Sequence, residues 1–297
     1  MVKPETLSIV ALKLIKTAAT VLPQDVKKAL RKAHARETNL TGKTQLEAIL
    51  RNIELAEKQK APICQDTGTI AFFVKAGSRV KGLDKVEAAL REAVRDATQQ
   101  IPLRPNAVDP FTQKNSGNNL GRCMPLVYWE IVPGNEVEIA VMLKGGGSEN
   151  VSVLGMLNPG EGVKGLKRFV VDAVVRAGAQ PCPPTVLGVA VGGGADVAVT
   201  LAKKALLRRL NEQNSDPRLA ELERELLDAA NSTGIGPMGL GGDVTVLGVH
   251  VDYAFRHPAS FPVAVVFSCW CDRRASARIN SEGRVAYLSH DERGIFT

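Results

Sequence analysis

The feature that most constrains this chain is a change of hydrophobic period along its length. Over residues 4–20, 24–36 and 43–58, apolar residues recur three and four positions apart. Each stretch therefore predicts a helix with one buried face. Pro23 lies near the start of the second stretch, and Thr41 offers an N-cap for the third. AFFVKAG then reads as a short strand and GLDKVEAALREAVRDATQQI as a helix. Farther on, the runs EVEIAVMLK, TVLGVAV, DVTVLGVHVDYA, ASFPVAVVFSCWC (a strand ending at the cysteines) and GRVAYLS have strand character, and several border glycine clusters. VKGLKRFVVDAVVRAGA, stopping at Gly178, and LAELERELLDAANSTG add helices between them. This ordering predicts an α+β fold, with a helical N-terminal part packed against a mixed, largely antiparallel sheet. The chain shows no internal repeat, low-complexity run or linker, so residues 1–297 read as a single domain. Aromatic residues are only 4%, so the core must be built from Ala, Val, Leu and Ile.

Charge narrows the function. The net charge is +7, but Lys and Arg are spread among acids along the chain, as in KALRKAHARE and ELERELLD, which read as solvated helix faces. The chain lacks a basic tail and any interleaving of basic and aromatic residues, so nucleic acid is not the expected partner. No stretch reads as a membrane span. The Lys-bearing amphipathic N-terminus lacks the apolar core and cleavage site of a signal peptide, so a cytoplasmic protein is expected. A mildly positive surface suits a small anionic substrate.

Five cysteines stand at 64, 123, 182, 269 and 271. Their number is odd, their spacing mostly wide, and the chain too large for a disulfide-stapled scaffold. Cys64 lies in PICQDTGT, where polar groups and backbone N–H can favour a thiolate. Cys182, in QPCPPT, is held by prolines that fix φ, as a metal ligand or an ordinary tight turn would require. Cys269 and Cys271 lie in FSCWCDRR. Strand alternation would put both on one face, with Trp270 opposite, so the two chelate together or one is a spectator. Arg273 and Arg274 could supply positive charge near an anionic cluster or substrate, but read more readily as a solvated strand end. No C-x-x-C occurs, so zinc-ribbon and bacterial ferredoxin patterns are missing. Separated cysteines on loops beside strands suit a catalytic cluster better than an electron-transfer one. The KGGGSEN loop offers backbone N–H groups to a carboxylate. VGGGADV departs from nucleotide-binding patterns. Residues 102–121 form an irregular loop of the kind that often carries function. His257, considered alone, reads as a structural or surface histidine.

Taken in order, PICQDTGT, KGGGSEN, PCPPTVLGVAVGG, GIGPMGLGG and HPASFPVAVVFSCWCDRR resemble the N-terminal half of class I fumarases. They equally resemble the α subunits of two-chain fumarases and L-tartrate dehydratases. The resemblance implies a 4Fe–4S cluster on Cys64, Cys182 and Cys269, leaving one iron open as a Lewis acid. It implies substrate contacts from Gln65, Asp66, Arg104 and the loop around Gly146. It implies catalytic roles for Asp66 and for His257, the latter reaching a neighbouring protomer. Cys271 falls where relatives commonly carry a small residue, and Cys123 matches no ligand. The full-length enzymes carry a second domain that this chain lacks. A separate β subunit is therefore implied, in an α–α dimer and an α2β2 assembly, acting on a small dicarboxylate. Reversible hydration of fumarate to L-malate is the first expectation, and dehydration of L-tartrate to oxaloacetate the alternative. A non-catalytic zinc or iron–sulfur protein is the alternative from another class.

Overall fold

A computed structural model describes residues 3–291 and residue 295. Along the chain run α1 (Pro4–Thr20), α2 (Gln24–Arg36), α3 (Leu40–Gln59), β1 (Thr69–Gly77), α4 (Val86–Gln100), β2 (Leu126–Val132), β3 (Val137–Lys144) and the short α5 (Gly146–Asn150). Then follow β4 (Val153–Leu157), α6 (Gly162–Ala177), β5 (Thr185–Val191), α7 (Ala195–Ala205), α8 (Pro217–Asn231), β6 (Val246–Tyr253), β7 (Phe261–Ser268), β8 (Arg274–Ile279) and β9 (Val285–Tyr287). The fold is α+β, with mixed and mostly antiparallel strands. They form two sheets, where the sequence pattern had implied one.

The chain gathers into two compact units. The first comprises Met1–Gln24, Asn52–Gly145 and Arg273–Thr297. Its sheet has the order β2-β1-β3-β8-β9, and only the β1–β2 pair is parallel. Helix α1 forms because Pro4 occupies its first turn and apolar residues follow at helical spacing. Leu7, Leu14 and Ile15 of α1 and Leu90 and Val94 of α4 bury against Phe72, Val74, Ile139 and Val141. Each such side chain contributes about 1.5–3 kcal/mol. Strand alternation turns Phe73 to the other face, where it stacks on Tyr128 at 4.8 Å.

The second unit comprises Asp25–Arg51 and Gly146–Asp272. Its sheet has the order β4-β7-β5-β6, with β5 and β6 parallel and the other pairs antiparallel. Strand β7 is buried along its whole length and β5 along nearly all of it, which explains their unbroken apolar sequences. Leu166, Val170 and Val174 of α6 and Leu222 and Leu226 of α8 pack with Leu187, Val189, Val263, Val265 and Phe267.

Two local expectations change. Asn39, rather than Thr41, caps α3: its Oδ1 accepts from Gly42 N at 3.0 Å, and Thr41 is already inside the helix. The run Pro4–Arg36 is long and apolar enough to cross a membrane by length and composition. It is nevertheless two helices broken at residues 21–23, and 67% of its apolar window is buried inside the structure.

Candidate active site

In the second unit, β5 and β7 pair antiparallel with Val186 opposite Ser268. The start of β5 and the end of β7 therefore lie side by side. Cys182 precedes the one and Cys269 follows the other, so the pairing brings the two residues to the same sheet end. Trp270 N donates to Cys182 O at 3.2 Å, tying the two turns directly. Cys182 has a φ of +53°, uncommon for a non-glycine residue. That conformation is held by neighbours. Cys182 N donates to Ala179 O at 3.0 Å, and Met238 N donates to Pro183 O at 2.7 Å. Gly147 of α5 packs so closely that a Cβ there would come 2.7 Å from Gln180 O. Gly239 packs likewise: with φ +76°, its Cβ would lie 2.3 Å from that of Ala179. Two of the glycine motifs thus serve to enclose the Cys182 turn.

The CWC segment is not a strand. β7 ends at Ser268, and Ser268 Oγ donates to Asp272 Oδ1 at 2.8 Å, closing a turn around Cys269. The alternation expected for Cys269 and Cys271 therefore does not apply. Cys271 is 2% exposed and packs as a small apolar residue, whereas Cys269 is half-buried. All five cysteines are free thiols, and Cys64, Cys182 and Cys269 are each partly exposed. Accessible thiols on constrained turns have the chemistry of iron–thiolate ligands. Among the described residues, no group of three His, Cys, Asp or Glu side chains forms a cage for a single metal ion. Cys64 belongs to the first unit, and Cys182 and Cys269 to the second.

In the first unit, the turn after Cys64 is organised by Asp66. Its Oδ1 accepts from Gly68 N at 2.8 Å and from Asn106 Nδ2 at 2.7 Å. Asn106 N in turn donates to Asn119 Oδ1 at 2.7 Å, and Asn119 Nδ2 to Arg104 O at 3.4 Å. The irregular loop that carries Arg104 is thereby fixed to the Asp66 turn.

A sequence profile of the fumarate hydratase (Fumerase) family matches residues 9–278. The chain belongs to the fumarate hydratase family. A protein of Methanocaldococcus jannaschii, provisionally named L(+)-tartrate dehydratase subunit alpha, is 44% identical over 94% of this chain and 99% of its own length. The L(+)-tartrate dehydratase subunit alpha of Escherichia coli K12 is 38% identical over 92% of this chain and 90% of its own. The protein of the same name from Shigella sonnei gives the same figures.

The family's motif residues fall as follows. Gln65, Arg104 and Gly146 are exposed and Asp66 half-buried, with Gly146 the first residue of α5. His257 is exposed on the turn before β7. Arg256 shapes that turn by donating to the carbonyls of His257, Pro258 and Ser260 at 2.9–3.0 Å. His257 Nδ1 accepts from Ala259 N at 3.2 Å. Eight extended residues of β7 separate this turn from Cys269, a span of roughly 25 Å. One chain therefore does not bring His257 to the cysteine end of the sheet. Cys123 sits exposed at φ +57° in a tight turn bridged by Gly121 and Met124.

Sequence reasoning missed Asn106, which lay unremarked in the irregular loop, and misjudged the two arginines. Arg273 and Arg274 are 2% and 4% exposed, so they are not a solvated strand end. Their burial follows from β8, which pairs Arg274 with Met142 in the middle of the first sheet.

Proposed function

We propose that this chain is the α subunit of an iron–sulfur hydro-lyase that acts on a hydroxy-dicarboxylate, with L(+)-tartrate ahead of L-malate. The relatives' names support an α subunit. They also favour tartrate over the fumarate–malate pair, between which and tartrate the shared motifs do not choose. The observation that carries the reading is the paired turn in which Trp270 N meets Cys182 O, placing two motif cysteines at one sheet end.

In this reading Cys64, Cys182 and Cys269 hold a 4Fe–4S cluster, and buried Cys271 does not. When bound, such a cluster with three thiolate ligands supplies a Lewis-acidic iron for a hydroxyl-bearing substrate. The chain's own groups bind and orient the substrate. Asp66, its Oδ1 fixed by two donors, orients the substrate hydroxyl. Gln65 offers an amide donor and acceptor. Arg104 offers a guanidinium fork to the far carboxylate. The backbone N–H at Gly146 adds a donor for charge that develops on a carboxylate oxygen. His257 lies at the wrong end of β7 to serve its own chain's cysteines. It acts across an α–α dimer, in an α2β2 assembly in which the β subunit supplies the base for the C–H proton.

The test is to load the α chain anaerobically with iron and sulfide, combine it with its β subunit, and assay L(+)-tartrate, L-malate and fumarate in parallel. Dehydration of tartrate to oxaloacetate by the pair but not by the α chain alone is expected. Faster turnover of malate and fumarate would move the assignment to fumarase, and activity of the α chain alone would remove the β requirement.

A further inference from the structure

Arg273 has no part in the substrate contacts proposed so far, although it is the largest side chain buried this deeply among the described residues. Its main chain is fixed, since Leu143 N donates to Arg273 O at 3.0 Å. Its side chain reaches the glycine that follows β3: a Cβ built on Gly145 would lie 3.9 Å from Arg273 Nη2 and 3.1 Å from Asp66 Oδ2. Guanidinium and carboxylate therefore face the same glycine, the carboxylate closely enough that a methyl there would push it by tenths of an ångström. The Asp66 turn lies against the same stretch of backbone, because a Cβ on Gly68 would come 2.5 Å from the carbonyl of Lys144. Two further cations, Lys144 and Arg274, are each 4% exposed at this end of β3 and β8. Burying three cations at one sheet end carries a desolvation cost that a fold keeps only where anionic partners meet them. Asp66, whose carboxylate faces the same glycine as Arg273, is of the right charge to be one such partner, and a dicarboxylate substrate to be another.

We propose that Arg273 is a positioning residue for substrate binding. It holds the Asp66 carboxylate and the Gly145 backbone in the arrangement that receives a hydroxy-dicarboxylate. The inference rests on the hydro-lyase reading. An arginine fits the role because its planar fork presents several donors at fixed angles, whereas a lysine places one charge on a flexible stem.

The test uses Arg273→Lys and Gly145→Ala in the loaded α chain combined with its β subunit. Iron content, melting temperature, KM and kcat are measured for each. Arg273→Lys retains charge but loses the fork, and about a tenfold rise in KM is expected from one charge-assisted hydrogen bond lost. Gly145 has an ordinary φ, so alanine fits its backbone, and the added methyl displaces Asp66 by tenths of an ångström. A rise of about threefold in KM is expected there. In both variants iron content stays at the wild-type level and kcat stays within about threefold of it. If Arg273→Lys fails to fold, the Gly145→Ala result alone decides. A folded, iron-loaded variant of either kind with unchanged KM overturns the proposal. So does a folded Arg273→Lys that loses its iron, since the residue would then serve the cluster and not the substrate. A wild-type pair that turns over neither tartrate nor malate overturns the hydro-lyase reading, and this inference with it.

Discussion

Replacing Glu37 by Gln should loosen the second unit through one buried carboxylate. Glu37 is 2% exposed, directly after α2. Its Oε1 accepts from Asn39 N at 2.9 Å and from Asp243 N at 3.0 Å. Its Oε2 accepts from Asp243 N at 2.9 Å and Val244 N at 3.1 Å. Gly242 makes room for it, since a Cβ there would stand 2.7 Å from either oxygen. Glutamine has nearly the same shape, but it turns one acceptor into a donor that faces backbone N–H groups. Each hydrogen bond to a charged group contributes about 1.5–3 kcal/mol, and a buried donor left unmatched costs about 1–3 kcal/mol. The substitution should therefore cost about 3 kcal/mol. Guanidinium unfolding measures this cleanly in a Trp129→Phe background, where Trp270, the remaining tryptophan, reports the second unit alone. The midpoint should fall with the denaturant slope unchanged. The same glycine loop holds the Cys182 turn through Met238 N, so iron retention should fall as well. A change below about 0.5 kcal/mol, the range of ordinary surface substitutions, would refute the assignment of Glu37 as the anchor of that loop.

Three other predictions concern the site and the pH response. Serine at Cys64, Cys182 or Cys269 should abolish the absorbance near ~400 nm expected of a thiolate-bound cluster, while Cys271→Ala should keep it; full signal in any of the first three removes that ligand. Gly239→Ala places a methyl 2.3 Å from the Ala179 Cβ at a φ of +76°, so it should cost about 1–3 kcal/mol or more and lower iron retention, read by thermal unfolding and iron assay. For pH, the Thr38 hydroxyl and N–H hold Asp243 below the usual carboxylate range, and the Arg218 side chain holds Asp216 down at about 2. Both folded values lie below the unfolded ones, so their stabilisation is complete above about pH 4 and is lost as pH falls toward 2. The iron-free chain should lose melting temperature over that window, less steeply in Asp243→Asn and in high salt, which screens exposed charges.

The helices were legible because their signal is local. Residues 4–20 and 24–36 carry their own period, and the observed α1 and α2 match them. The start of α3 was misplaced because Asn39 and Thr41 are both acceptable caps and only the folded geometry chooses. Strand β4 went unread because it exposes Leu154 and Met156, so no polar alternation marks it. Strand β8, RASARI, was hidden by its arginines, whose burial depends on pairing with β3, far away in sequence. The site followed the same division. Motif order picked out Cys64, Cys182 and Cys269, but the contrast between Cys269 and Cys271 is set by the turn that Ser268 and Asp272 close. The loop around Arg104 was recognisable from its composition. That Asn106 carries it to Asp66 was not, because a hydrogen bond between residues forty apart leaves no local pattern.

The central claim is that this chain is the α subunit of a tartrate-directed iron–sulfur hydro-lyase. The most direct measurement is oxaloacetate formation from L(+)-tartrate by the anaerobically loaded α chain with and without its β subunit, with L-malate assayed beside it. The account predicts turnover by the pair, none by the α chain alone, and a higher kcat/KM for tartrate than for malate. Failure of the iron-loaded pair to dehydrate either acid would contradict it.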